Sequence, residues 1–475
     1  MEWNQLLSGE RIRQYTHKNE KDYRSEFEKD YHRIIVSASF RRLQDKTQVF
    51  PLDKSDFIRT RLTHSMEVSS IGKSFGKAVY HRIKEYNPDA RIEEKQAVEI
   101  GDILLSAGLI HDIGNPPFGH FGENVIREWF RNHLTDQGIT YKGKPVVSYL
   151  NPQMKADFLN FEGNAQALRV VTKLHSLVDA KGMNLTKGIL NTIIKYPASS
   201  LEINKKSGDI KYKKMGYFYA EREVFQEITK GTGAGNNRYP LTYLLEASDD
   251  IAYKTADIED GYKKGRISFT KLKFELENNK YTEHQGEEEY RFLETAIKEL
   301  GVRYDKGVKR NYHNAEVYAV QNWVIGVQRM LIEAATCSFS KNYDEIMAGK
   351  YNKDLFEGTH AYYLAKTLGD IAYEQIFRSK EILKLEAASC KILTFLLDNF
   401  VDAALVYDTD QPKTQLQDKL MELISDTYKY IYHVYAEGKS EGEKLYLRLL
   451  LVTDFISGMT DHYAKTLYQE LNGIY

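Results

Sequence analysis

Residues 111–123 of this sequence read HDIGNPPFGHFGE, and this stretch decides the fold. It follows a helical pattern in which Ile100, Leu104, Ala107 and His111 share one apolar face. The pattern predicts a helix that ends near the histidine–aspartate pair and directs the His111 imidazole into the interior. An adjacent His-Asp pair is common by chance, so the prediction depends on the residues that flank it.

The flanking residues predict a rigid turn after the pair. Pro116 and Pro117 cannot continue a helix, and Gly119 allows close approach of the backbone. The turn would bring His120 back toward the pair, and Glu123 follows one helical turn later. At that spacing the Glu123 carboxylate can hold and tune the His120 imidazole.

Two distant segments carry further inward-facing polar side chains. In a helix through residues 59–68, His64 lies on one stripe with Val68 and Phe75. In LLEASDD, Leu245 and Asp249 share a face, which buries the Asp249 carboxylate.

These segments together indicate a metal site. A carboxylate in an apolar interior is very costly without a cation or hydrogen-bond donors. If His64, His111, Asp112 and Asp249 converge, two imidazoles and two carboxylates would satisfy one divalent ion. This mixed set of nitrogen and oxygen ligands suits Mn²⁺, Fe²⁺ or Mg²⁺ with open water positions. A single buried histidine is more often a hydrogen-bonded core residue, so the hypothesis requires the whole set.

Composition narrows the class of protein. The chain has 475 residues, 42% of them hydrophobic, which is enough for a substantial core in one large domain or two closely packed ones. Lys+Arg total 66 against Asp+Glu 67, so no global basic field indicates nucleic acid. Two cysteines, Cys337 and Cys390, imply neither a disulfide framework nor a thiolate zinc site. With a polar N-terminal segment and no apolar run of membrane-spanning length, we expect a cytoplasmic protein without a membrane anchor.

Most of the chain has the pattern of amphipathic helices, so the predicted fold class is all-α. The segment 195–219 differs: a proline, turn residues and short alternating stretches predict a loop plus a small β-hairpin. Residues 275–289 are expected to form a solvated loop. Helices are expected near 26–43, 60–85, 95–112, 121–134, 240–262, 288–300, 312–337, 359–404, 413–436 and 441–472.

Seven stretches, spread from near the start of the chain to near its end, follow one family pattern. They are RRLQDKTQVFPL (41–52), RTRLTHSMEV (59–68), HDIGNPPFGHFGE (111–123), FEGNAQALRVV (161–171), KYP (195–197), YLLEASDDIAYKTADIEDG (243–261) and FISGMTDHYA (455–464). On these residues the chain resembles the bacterial deoxyguanosinetriphosphate triphosphohydrolases of the HD superfamily. The resemblance implies an HD-type catalytic domain over 1–300, with its core at about 59–255. It also implies a helical region over 301–475 that packs on this core and supplies an oligomer interface.

The resemblance assigns roles to particular residues. It implies one divalent ion per subunit, Mg²⁺ or Mn²⁺, with Fe²⁺, Co²⁺ or Ni²⁺ as alternatives in crystals. Asp250 is the weaker ligand candidate, because it lies about 100° round the helix from Asp249. The implied metal ligands are His64, His111, Asp112 and Asp249, and the implied catalytic pair is His120 and Glu123. The implied deoxyribose contacts are Gln48, Tyr253 and Asp257, and the implied triphosphate contacts are Arg61, Lys195, Tyr196 and Lys214.

The expected reaction is hydrolysis of dGTP to deoxyguanosine and triphosphate. The ion would activate a water and polarise the α-phosphate, and the bond to the 5′ oxygen would break. His120 could protonate the leaving oxygen or orient the water, and both roles stay open. Relatives of broad deoxynucleotide specificity share these motifs, so the choice of base is also open. The family further implies a homo-oligomer, often a hexamer, and single-stranded DNA as an effector in some members.

Two other functions are compatible with an HD fold. A two-metal nucleotide phosphodiesterase needs further histidine ligands between the HD pair and the final aspartate. Only His120, His133 and His175 lie there, and no His-His pair occurs, which disfavours it. A non-enzymatic sensor of nucleotide or single-stranded DNA would have no need of an intact ligand set.

Overall fold

The computed structural model describes residues 1–13, 22–48, 59–176 and 179–474. The end of the RRLQDKTQVFPL stretch, residues 49–52, lies outside these ranges. The predicted all-α class is confirmed, because helices dominate the described chain. The helices are α1 (Trp3–Leu6), α2 (Glu26–Ile35), α3 (Ala38–Arg41), α4 (Arg61–Tyr86), α5 (Glu94–Ile110), α6 (Gly119–His133), α7 (Pro152–Leu159), α8 (Gly163–Arg169), α9 (Lys187–Thr192), α10 (Arg222–Gly231), α11 (Pro240–Lys263), α12 (Phe269–Glu277), α13 (Arg291–Lys309), α14 (Ala315–Lys341), α15 (Tyr343–Met347), α16 (Tyr362–Ala372), α17 (Lys380–Val406), α18 (Gln415–Glu422), α19 (Asp426–Ala436), α20 (Glu441–Gly458) and α21 (Asp461–Leu471).

Shorter helical turns lie between these helices. Their bounds are Arg42–Asp45, Val146–Tyr149, Ile210–Tyr212, Tyr219–Glu221, Thr282–His284 and Glu288–Tyr290 for the 3₁₀ turns, and Val170–Leu174 and Tyr373–Phe377 for the π turns. Within the described ranges, no helix combines the length and the apolar character that crossing a bilayer requires.

The packing of α4 against α5 sets the position of two predicted metal ligands. Both helices have glycines at the contact: a Cβ on Gly76 would lie 2.4 Å from the Ala97 carbonyl oxygen, and one on Gly108 would lie 2.6 Å from a backbone atom of α4. Only glycine permits such close backbone approach. The capping box at Thr60 starts α4. The start of α4 therefore lies beside the end of α5.

The buried side chains form two hydrophobic clusters. The first core joins α1, α2, α4, α5, α9, α11 and α14, while the second core joins α6, α7, α17, α20 and α21. Residues beyond 300 contribute to both, since α14 packs on α4 and α11, and α17 packs on α6. The division near residue 300 stays a prediction.

The β-hairpin is present but lies elsewhere than predicted. Strand β1 (Thr140–Tyr141) pairs antiparallel with β2 (Lys144–Pro145) across a two-residue turn with positive φ at both positions. In segment 195–219, the hairpin prediction was wrong. Residues 198 and 216, and 204 and 212, are joined by single backbone hydrogen bonds without a ladder. The start of this segment is buried, so its polar pattern does not reflect one exposed strand face.

The predicted helix over 26–43 is interrupted. Ser25 caps α2 through a capping box, but α2 ends at Ile35. The Ser37 side chain then accepts a hydrogen bond from the Phe40 amide and starts α3. A second capping residue inside an amphipathic pattern therefore ended the first helix.

Candidate active site

The three distant segments bring their polar side chains to one place. The His64 Nε2 and Asp249 Oδ1 atoms are 3.1 Å apart, and His111 Nε2 lies 3.5 Å from the same oxygen. Potential ligand atoms of these three residues all lie within 4.8 Å of one another. The predicted convergence of α4, α5 and α11 is therefore present in the structure.

The hydrogen bonds of His111 test whether this group fits a metal ion. Its Nδ1 lies 2.8 Å from the Gly108 carbonyl oxygen, which can only accept, so Nδ1 carries the proton. In the neutral imidazole that a metal ligand requires, the Nε2 atom then carries the lone pair, and it is buried without a hydrogen-bond partner. It faces carboxylate oxygens of Asp112 and Asp249, each at 3.5 Å. Electron-rich atoms at this spacing repel one another unless a cation lies between them, so the residues fit a divalent ion.

Asp112 lies at the edge of the group. One oxygen accepts from Arg61 Nη1, and the other accepts from Asn115 Nδ2 at 2.8 Å. Burial alone would raise the pKa of Asp112, but His111 and Arg61 lower it well below its usual range. The carboxylate is therefore ionised, as a metal ligand must be.

A cavity of about 620 Å³ opens beside the ligand group. Its wall is rich in cations. The ammonium group of Lys195 is 2.8 Å from Asp249 Oδ2, and that of Lys214 is 2.9 Å from Glu162 Oε1. The predicted triphosphate residues Arg61, Lys195, Tyr196 and Lys214 all line this cavity.

The three predicted deoxyribose residues line the same cavity. Gln48 Oε1 is buried there without a hydrogen-bond partner. Burial, and the neighbouring Asp260, raise the pKa of Asp257 well above its usual range, which favours the neutral form of its carboxyl group. A neutral carboxyl group both donates and accepts, as a hydroxyl ligand requires. Tyr253 lies one helical turn before Asp257 on α11.

The candidate acid–base pair stands on α6. The His120 Nδ1 and Glu123 Oε2 atoms are 3.5 Å apart, and Glu123 raises the pKa of His120. The two side chains differ in exposure, 77% for His120 and 1% for Glu123. Glu123 is fixed by the Gly163 amide at 3.0 Å and by Arg127. His120 therefore lines the cavity while its carboxylate partner is held behind it.

Sequence reasoning missed one wall of the cavity. This wall is formed by the π turn after α16 and by the start of α17, which carry no motif, and the amphipathic pattern gave no signal for them. Its residues are Tyr373, Phe377, Ile382, Glu386 and Ser389.

The other histidines between the HD pair and Asp249 have different partners. His133 Nδ1 lies 2.7 Å from the Trp129 carbonyl oxygen, and its ring stacks on the Trp129 ring. His175 Nδ1 lies 3.0 Å from Ser39 Oγ. Neither belongs to the potential metal-binding group found in the described part of the chain.

Comparison with known proteins identifies the relatives of the chain. The HD domain family model matches residues 61–140. The chain is 51% identical over its whole length and that of the relative to a deoxyguanosinetriphosphate triphosphohydrolase-like protein of Listeria monocytogenes. It is 33% identical, again over both whole chains, to a protein of the same description from Synechocystis. It is 31% identical to a deoxyguanosinetriphosphate triphosphohydrolase of Serratia proteamaculans, over 95% of this chain and 94% of that one.

Proposed function

This chain belongs to the deoxyguanosinetriphosphate triphosphohydrolase family of HD-domain proteins, and from that premise we propose that it is a metal-dependent hydrolase of deoxynucleoside triphosphates. The proposed reaction converts dGTP and water to deoxyguanosine and triphosphate. A single observation carries the proposal: two proposed metal ligands, Asp112 and Asp249, line one cavity of about 620 Å³ together with the cations and the candidate deoxyribose contacts. A homo-hexamer and single-stranded DNA as an effector stay predictions from the resemblance.

The proposed metal ligands are His64, His111, Asp112 and Asp249. When bound, a divalent ion such as Mg²⁺ or Mn²⁺ supplies Lewis-acid chemistry by lowering the pKa of a water molecule and withdrawing charge from phosphate oxygens. The ligand set would provide this chemistry beside the cavity, because the carboxylates of Asp112 and Asp249 line it.

The cations of the wall bind the polyphosphate. Lys195 is buried, and its ammonium group contacts Asp249, one of the proposed metal ligands. Lys214 instead contacts Glu162, on the side of the cavity where His120 lies. Burial lowers the effective dielectric, so each positive charge stabilises phosphate oxygens more than it would in water. We propose that Arg61, Lys195, Tyr196 and Lys214 hold the triphosphate between them.

The proton balance of the reaction requires a proton donor at the bond that breaks, and we propose His120 for this role. Water adds to the α-phosphorus, the bond from that phosphorus to the 5′ oxygen breaks, and the 5′ oxygen gains a proton. The leaving alkoxide is strongly basic, so a protonated imidazole beside it is valuable. Glu123 favours the protonated form of His120. We assign His120 the acid–base role and Glu123 the task of holding it.

The side chains that we propose as sugar contacts account for a preference for deoxyribose over ribose. In its neutral form, which its raised pKa favours, the Asp257 carboxyl group can bind the 3′-hydroxyl together with the unpartnered Gln48 oxygen. Tyr253 lines the same cavity and lies between Asp249 and Asp257 along α11, and we propose that its ring takes the space a 2′-hydroxyl would need. Guanine is the base that the family resemblance predicts, and comparison of the four dNTPs tests it.

Product analysis tests the proposal directly. Purified protein is incubated with each of the four dNTPs and with GTP, under Mg²⁺ or Mn²⁺, and the products are separated by ion exchange. We expect deoxynucleoside and intact triphosphate, with dGTP turned over fastest and GTP slowest. In oxygen-18 water the label should enter the triphosphate and not the nucleoside. Nucleoside monophosphate with pyrophosphate would instead identify a phosphodiesterase, and binding without turnover would identify a sensor.

A further inference from the structure

The FISGMTDHYA stretch near the end of the chain has no part in the reaction as proposed, yet one of its residues contacts the catalytic turn. Asp461 is the first residue of α21 and is 2% exposed. One carboxylate oxygen accepts from the Phe118 amide at 2.9 Å. The other accepts from the Thr47 amide at 3.1 Å and from the Thr47 hydroxyl. A single buried carboxylate therefore joins two segments of the cavity wall that are 71 residues apart in the sequence.

A buried lysine makes the matching connection. Lys46 is 2% exposed, and its ammonium group donates to the carbonyl oxygens of Asn115 and Ser457, each at 2.6 Å. Its own carbonyl oxygen accepts from the Arg61 amide at 2.8 Å. Lys46 thus joins the HD turn to the end of α20 and to the start of α4.

The turn that these contacts hold is strained. Phe118 has φ 64° and ψ 16°, and Gly119 follows with φ 60°. A left-handed conformation is unfavourable for a residue with a side chain and persists where its surroundings impose it. Here the Phe118 amide is fixed by Asp461, and the next side chain along the cavity is that of His120. The position of His120 therefore depends on a carboxylate that does not line the cavity.

We propose that Asp461 and Lys46 are positioning residues of the active site, which fix the His120 turn and Gln48 relative to the metal ligands. The assignment rests on the proposed function for its effect on turnover, although the contacts themselves are independent of it. Gln48 directly follows the Thr47 that Asp461 holds, and His120 lies two residues after Phe118. The C-terminal helices thereby set the geometry of a site to which they contribute no metal ligand.

The test uses isosteric variants in the full-length protein. In Asp461→Asn, an amide oxygen replaces one acceptor, but the amide NH₂ must face the other backbone amide, so one of the two contacts is lost. Lys46→Met removes both carbonyl contacts of the ammonium group. The matched control is Asp157→Asn, since Asp157 is equally buried and accepts from Ser200, the Tyr219 amide and Tyr446 away from the cavity.

Three readouts separate positioning from general stability. Hydrogen exchange measured by mass spectrometry over residues 113–122 should become at least tenfold faster in Asp461→Asn and Lys46→Met. The metal content per chain should stay that of wild type. The kcat for dNTP hydrolysis should fall about 10- to 100-fold, because misplacement by about 1 Å costs that much, while the melting temperature of the control changes without a change in kcat.

Each outcome decides the matter. Unchanged exchange over 113–122, or faster exchange with unchanged kcat, would overturn the positioning role. The same changes in Asp157→Asn would also overturn it, because they would reflect general loosening. If wild type releases no triphosphate from any dNTP, the proposed function fails, and the exchange measurement alone then judges whether Asp461 and Lys46 hold the turn.

Discussion

The metal-binding group and the acid–base pair are built on different hydrophobic cores. His64, His111 and Asp249 lie on α4, α5 and α11, which pack in the first core, whereas His120 and Glu123 lie on α6, which packs in the second core. The imidazoles of the metal group are at most 2% exposed, and that of His120 is 77% exposed. The difference shows that the proposed metal site and the proposed acid–base pair belong to separately packed parts of this protein.

The two environments suit these two tasks. Buried imidazoles and carboxylates must be compensated by a cation, which favours tight metal binding. A proton carrier instead has to exchange protons with water or substrate, which an exposed histidine beside a buried carboxylate can do. The turn over residues 112–118 connects the two environments, so variants on either side of it should give different phenotypes.

The largest effect is expected from loss of a metal ligand on the first core. His111→Ala or Asp249→Ala should lower the bound metal to near zero and the rate of triphosphate release by at least about 10³-fold, because both the Lewis acid and its charge are lost. Metal content by elemental analysis and product release are measured on the same preparation. Asp250→Asn is the matched control on the same helix, since Asp250 pairs with Lys254, and it should retain metal. Full metal content in either ligand variant would contradict the assignment of metal binding to the first core.

The next largest loss of activity is expected from substitution of His120, which lies on a helix of the second core. His120→Ala should keep the metal content of wild type but lose about 10²- to 10⁴-fold in kcat, the usual worth of a general acid or base. The KM should change little, because the phosphate-binding cations are retained. Unchanged kcat would remove His120 from the mechanism, and loss of metal would show that the two regions are not separable.

Sequence patterns predicted helices with and without motifs, but they indicated cavity residues only where a motif was present. Helical periodicity placed α4, α5 and α11 well, and with them the inward direction of His64, His111 and Asp249. The structure then brought these three side chains within 4.8 Å of one another. Periodicity alone could not predict this convergence, because it depends on glycine-mediated contacts between helices distant in sequence.

The misplaced hairpin and the missed cavity wall both lie in segments whose surroundings are set by tertiary packing. Polar alternation in segment 195–219 arises where side chains such as Lys195 face a cavity, so it resembled a strand pattern without backbone pairing. The wall at residues 373–389 has an ordinary amphipathic pattern, and its position follows from tertiary packing alone. Asp461 likewise lay inside a recognised stretch, but its contact with the Phe118 amide 343 residues away was not readable from the sequence.

A moderate effect should distinguish two lysines that both line the cavity. Lys195 contacts Asp249, so Lys195→Met removes a positive charge from the metal group and should strengthen metal binding while raising the KM for dNTP about tenfold. Lys214 contacts Glu162 on the His120 side, and Lys214→Met should raise the KM similarly without any change in metal affinity. Metal titration by calorimetry and steady-state kinetics measure both. Equal changes in metal affinity would contradict the separation of the two regions.

The smallest effect should be a displacement of the pH profile in Glu123→Gln. Glu123 raises the pKa of His120 above its ordinary value of about 6.5, so removing the carboxylate should lower that pKa. If protonated His120 donates to the 5′ oxygen, turnover falls as pH rises through its pKa, and this falling limb moves to lower pH in the variant. If neutral His120 accepts a proton from water, turnover rises with pH instead, and the rising limb moves to lower pH. The limb that moves therefore assigns the role, and a profile in which neither limb moves would show that Glu123 only holds the backbone at Gly163.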